Sequence, residues 1–174
     1  MLEQHWSVFL ELIRAPFQRE AMVWGVVPLY FGWIVNELTS PRASYSTATQ
    51  TGFGFLWAGA HWTWQYLHDP AGAGTTRALG PGLFAVNILV TMLVIVVGLV
   101  TLVAGLRRKF PRHCAFLGHT RFSAYFMIAM FPIQSGYLPW TWERLAAIVT
   151  FAVPIWLAFT FGLMPFRPKR GHRS

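Results

Sequence analysis

Phe84-Ala85-Val86-Asn87-Ile88-Leu89-Val90-Thr91-Met92-Leu93-Val94-Ile95-Val96-Val97-Gly98-Leu99-Val100-Thr101-Leu102-Val103 runs for twenty residues without a charge. It is the heart of a 29-residue uncharged stretch from Ala78 to Leu106. A helix rises about 1.5 Å per residue, so twenty residues reach about 30 Å, the thickness of a bilayer's hydrocarbon core. No helix of a small soluble domain needs apolar side chains all round its circumference. The stretch predicts a membrane-spanning helix and sets the class of the whole chain.

The rest of the sequence fits that class. Of 174 residues, 55% are apolar, 17% aromatic and only 11% charged. A soluble domain carries about 25% charged residues, so this chain has less than half the usual charge for covering a water-facing surface. Disorder is excluded by the same apolar content. The lone cysteine, Cys114, excludes an internal disulfide scaffold.

Four further uncharged stretches flank the central one. Ala21–Asn36 is 16 residues long, about 24 Å, and reaches across only if Glu37 and Leu38 extend it. Ala43–His68 has a helical heart over Thr51–Leu67. Phe122–Trp142 and Leu145–Phe166 hold 21 and 22 residues, each long enough to span. Breaker-rich connectors separate them: Thr39 to Ser44, His68 through Gly82, and the tight turn Tyr137-Leu138-Pro139-Trp140, which predicts an antiparallel hairpin. Pro28, Pro132 and Pro154 fall inside spans and predict kinks.

Residues 1–20 do not read as a signal peptide, because Glu3 replaces the expected positive charge. Leu2, Trp6, Phe9, Leu10, Ile13 and Phe17 instead recur at helical spacing opposite Glu3, Gln4, Ser7, Glu11, Arg14 and Gln18. This predicts an amphipathic helix, either lying in the membrane interface or packed on the protein's own spans, with Pro16 ending or bending it. The expected architecture is therefore all-α: an interfacial helix over 1–20, a five-helix transmembrane bundle over 21–166, and a basic tail over 167–174. A four-span variant remains if the short first stretch does not cross.

The net charge of +8 is concentrated in two blocks, Arg107, Arg108, Lys109, Arg112 and Arg121, then Arg167, Lys169, Arg170 and Arg173. Beside apolar spans such blocks act as orientation signals and anchors for anionic lipid, not as nucleic-acid footprints. With five spans and the N-terminus outside, ten Lys and Arg fall inside and four outside, so the expected C-terminus is cytoplasmic.

Ionisable groups within a membrane point to function. None of the six acids falls at a span centre, and Glu37, Asp69 and Glu143 sit at span ends. That argues against a coupled transporter, while a small channel or transporter stays a secondary reading. His61 lies inside the second span, and His68 follows seven residues later on the same face, with Trp57, Trp62 and Trp64 around them. Seven residues is too far for both histidines to hold one metal ion on a helix, so no metal site is expected. One axial bond from His61 to haem iron or chlorophyll magnesium is geometrically open, with Ala58, Gly59 and Ala60 leaving room for a flat macrocycle and the tryptophans lining it. The alternative is a histidine bonded to a neighbouring helix, with no cofactor. His113, Cys114 and His119 show no zinc spacing. No GxSxG, HExxH, phosphate-loop or paired-acid motif is present, so no enzyme activity is expected. Asn87 and Gln134 read as inter-helix amides, and Gly54 with Ala58, and Gly98 with Gly105, as close-contact faces. The other aromatics, Tyr66 and Trp140 among them, read as interface belts.

Arg121-Phe122-Ser123-Ala124-Tyr125 through Met130-Phe131-Pro132, then Leu138-Pro139-Trp140, then Ala146 through Leu163, resemble the Yip1-domain family of small five-span membrane proteins. Phe9-Leu10-Glu11-Leu12-Ile13-Arg14-Ala15-Pro16, leading into the first span, is similar to bacterial members. The resemblance implies five helices and a role in membrane organisation or trafficking, without catalytic residues. Trafficking members keep the N-terminus in the cytosol, whereas the charge count here places it outside. The expected function is a non-catalytic membrane scaffold or accessory subunit. Its partners are membrane lipids, other membrane subunits or its own copies.

Overall fold

The computed structural model describes residues 2–39, 44–68, 81–107 and 121–166. Over those residues the chain is all helical: α1 (Leu2–Arg14), α2 (Glu20–Thr39), α3 (Tyr45–His68), α4 (Pro81–Arg107), α5 (Arg121–Gln134) and α6 (Trp142–Gly162), with single 3-10 turns at Ala15–Gln18 and Met164–Phe166. The basic blocks and the expected His113, Cys114 and His119 lie mostly or wholly outside the described residues, as do Asp69 and the tail.

Local chemistry sets the helix ends. Pro16 sits in the 3-10 turn that stops α1, as its ring requires. α3 starts from a reciprocal cap: the Ser44 amide donates to Thr47 Oγ1 at 2.8 Å, and the Thr47 amide to Ser44 Oγ at 3.2 Å. Thr141 caps α6 by accepting from the Arg144 amide at 3.3 Å. α5 ends earlier than expected. Gly136 takes a φ of 74°, and the Tyr137 and Leu138 amides turn back onto the Pro132 carbonyl. The uncharged stretch Phe122–Trp142 is therefore a 14-residue helix followed by a turn, and the hairpin begins at Ser135, two residues before the expected turn at Tyr137–Trp140.

Successive helices from α2 to α6 run antiparallel. Gly25 meets Trp57, Gly52 meets Gly98, and Tyr125 meets Ile148. The C-termini of α2, α4 and α6 thus share one end of the bundle. Among the described residues, three helices are long and apolar enough to cross a membrane: Glu20–Leu38 within α2, Gly82–Arg107 within α4, and Trp142–Phe159 within α6. α3 has the length, with 24 residues, but carries Thr, Gln, Trp and His along it. α5 has 14 residues.

α5 is the hub. Ile128, Ala129, Phe131, Ile133 and Gln134 are all buried, and α1, α2, α3 and α6 pack around them. On α1, Phe9 and Leu12 are buried, with Phe9 against Tyr125 and Phe151. Phe9 of the expected stripe packs on the protein's own helices, while Trp6 and Phe17 of the same stripe are exposed, so neither of the two expected arrangements holds for the whole stripe. Outside the same region, Glu11 pairs with Arg144 at 3.2 Å.

α4 lies at the edge and rests mainly on α3. A Cβ added at Gly52 would fall 2.8 Å from the Gly98 carbonyl oxygen, and one at Gly98 would fall 3.1 Å from the Leu56 amide. The two backbones touch, as small residues permit where lipid supplies no hydrophobic drive between helices. Gly98 and Gly105 serve the close contact as expected, whereas Gly54 meets only the Leu29 side chain at 3.6 Å. The rest of α4 is open, with Leu89, Met92, Leu93 and Val96 exposed.

Candidate functional site

Two groups of polar residues lie between the helices. The first is the stripe on α3. Trp57, His61, Trp64 and His68 are spaced four, three and four residues apart, which places them on one helical face. α2 covers the first half of it. Trp57 donates from Nε1 to the Gly25 carbonyl at 3.2 Å, and the His61 ring packs on Gly25 and on Phe131, centroids 5.4 Å apart. The second half is exposed: Trp64 and His68 stack at 3.6 Å, with His68 Nδ1 3.2 Å from the Trp64 carbonyl. Trp62 lies on another face, buried over Phe131 at 5.9 Å.

The five residues do not surround a common space. His61 Nε2 is buried without a hydrogen-bond partner, and Gly25 and the Phe131 ring occupy the space before it. The room expected from small residues is used by the protein itself: Gly59 receives Ile95 of α4, and Ala58 is fully buried. A macrocycle ligated at Nε2 would have to displace Phe131, a residue at the centre of the core.

The second group is a polar knot where α3, α4, α5 and the following hairpin meet. Tyr66 Oη donates to the Gln134 carbonyl and lies 3.5 Å from Gln134 Oε1. Thr91 Oγ1 donates to the same Oε1 at 3.5 Å. Asn87 Oδ1 accepts from Trp140 Nε1. Nearby, Ser135 Oγ bonds to the Phe131 carbonyl at 2.7 Å and sits 3.3 Å from Met22 Sδ. Asn87 and Gln134 are fully buried, in the inter-helix role expected of them. The sequence reading missed Tyr66, Thr91 and Trp140 as their partners. The available signal was the four-residue spacing of Asn87 and Thr91, which puts two polar groups on one side of an otherwise apolar helix.

The knot is made of amides and hydroxyls. It holds no carboxylate, histidine or thiol. Among the described residues, no group of three or more His, Cys, Asp or Glu is placed to hold a metal ion. Glu37, expected at a span end, lies in the last turn of α2 and is buried. No family model, curated protein or solved structure matches the chain.

Proposed function

We propose that the chain is a five-span integral membrane protein acting as a non-catalytic scaffold or accessory subunit of a membrane assembly. The observation that carries this reading is how its buried polar groups are used. Tyr66, Thr91, Gln134, Asn87 and Trp140 join three helices and a hairpin to one another. Polar groups in a bundle mark transport or catalysis when they line a path or include carboxylate, histidine or basic side chains, and these do neither.

Five spans follow if α3 and α5 also cross. α3 at 24 residues is about 36 Å long, and its polar Thr47 and Gln65 are buried by neighbours. α5 needs no lipid-facing length of its own, because other helices surround it. In this topology α1 lies at the outer interface, and the C-terminal ends of α2, α4 and α6 face the cytoplasm with the basic blocks. The Yip1-like residues around Phe131 and Pro132 point the same way, toward membrane organisation.

The reading is preferred to a haem- or chlorophyll-binding subunit because His61 Nε2 faces protein. It is preferred to a channel or transporter because no carboxylate is seen at a span centre. Mild-detergent extraction followed by mass determination tests it. Self-association or a co-purifying membrane subunit is the expected result, and a stable, unaccompanied monomer would overturn the proposal.

A further inference from the structure

A groove of about 270 Å³ opens between α2 and α3, floored by Ala124 and Met127 of α5. It does not coincide with the α3 stripe, of which only Trp57 forms part of its wall. Three features define what would fit it.

The first is polarity. No charged side chain lines the groove. Its three uncharged polar side chains, Asn36, Gln50 and Thr51, stand together toward one end, while Pro28, Leu29 and Phe53 line the rest. The helix register shows this. Trp57 meets Gly25 and Gly54 meets Leu29, so counting on places Gln50 beside Trp33 and close to Asn36.

The second is depth. Asn36 lies three residues from the end of α2, about 5 Å along its axis, whereas Pro28 lies about 16 Å in. Across a membrane the polar end then sits at the interface and the apolar end near mid-bilayer. One acyl chain of one leaflet has this layout.

The third is unmet hydrogen bonding and open space. Trp33 Nε1 and Asn36 Oδ1, on side chains lining the polar end, are buried without partners. One is a donor and the other an acceptor, and a hydroxyl carries the complement of each. Meanwhile a Cβ added at Gly32, in the groove wall, meets nothing within 4 Å.

We propose that this groove binds a single acyl chain of an uncharged, hydroxyl-headed amphiphile of the monoacylglycerol type, with the head at Asn36, Gln50 and Thr51. The inference requires α2 to span the membrane but is independent of the scaffold reading, which mass determination tests separately.

The test uses the full-length protein in nanodiscs with a photoactivatable monoacylglycerol whose diazirine lies in the chain. Labelling should concentrate on peptides containing Pro28–Gly32 and Phe53–Trp57. Excess monooleoylglycerol should reduce it at least fivefold, and phosphatidylglycerol of the same acyl chain should not. Gly32→Phe, which fills the groove from an open position, should reduce it about tenfold. Gly82→Phe, at another glycine with nothing within 4 Å, should leave it unchanged. Thermal midpoints of both variants confirm folding, and Asn36→Leu, which keeps the groove open, should abolish the preference for the neutral lipid if Gly32→Phe fails to fold. Labelling spread over all outward-facing helices, equal competition by phosphatidylglycerol, or a rise in oligomer mass on emptying the groove of lipid would each overturn the proposal, the last by assigning the groove to a second copy.

Discussion

Tyr66, near the end of α3, gives its phenolic hydrogen to the backbone carbonyl of Gln134, the last residue of α5. That carbonyl is one of the four a helix end leaves without an internal partner. A side chain from one helix therefore closes the end of another, 68 positions away in sequence. Tyr66→Phe keeps the ring and removes the bond. The expected cost is about 1 kcal/mol, within the usual range for hydrogen bonds between membrane helices. Unfolding in a denaturing detergent series measures it, and combining Tyr66→Phe with Thr91→Val should give a non-additive loss because both donors serve Gln134.

The glycine contact between α3 and α4 predicts an asymmetric response to alanine. Gly52→Ala places a methyl group against the Gly98 carbonyl, where backbone must move. It should destabilise by about 1–3 kcal/mol and loosen α4. Gly32→Ala meets open space and removes a flexible helix residue, so it should be neutral or stabilise by up to about 1 kcal/mol. Thermal midpoints of the two variants, side by side, check the difference in sign.

An absorption spectrum of gently extracted protein, from the near ultraviolet to the near infrared, should show no haem or chlorophyll band. A band abolished by His61→Ala in folded protein would reverse the reading of the α3 stripe. It would also mean that Phe131 leaves its place against the imidazole.

Cys114 is the lone thiol and lies in sequence within the first basic block, between Arg112 and Arg121. A membrane-impermeant maleimide should label it only after the membrane is permeabilised, as the charge bias requires. Labelling in intact cells would invert the proposed orientation.

Much of this architecture was legible from one strand of text. The central apolar run, read as Ala78–Leu106, is helix α4 over Pro81–Arg107. Hydropathy works there because nearly every position faces an apolar surrounding, whether lipid or protein. It overran the end of α5 by a few residues: the turn signal begins at Tyr137, while Gly136, in a left-handed turn, already ends the helix at Gln134. Composition does not register a backbone angle. The close-contact glycines were half found. Gly98 meets Gly52 and Gly105 meets Thr49 and Tyr45, whereas Gly54, four residues before Ala58 on α3, meets only the Leu29 side chain. His61 was correctly placed inside a helix and on a stripe. Which side chains would fill the space before its Nε2 depended on Gly25 and Phe131, more than thirty positions away on either side.

The short hub helix has a consequence for how the protein is made. At 14 residues, α5 reaches about 21 Å and does not cross a bilayer on its own. On the five-span reading it enters as one arm of a hairpin, carried by the longer α6 that follows. Its place is then secured by α1, α2 and α3, all of which have already left the ribosome. On that reading biogenesis would run in a fixed order, with the last hairpin locking segments that waited for it, and a chain stalled before α6 would leave its centre missing.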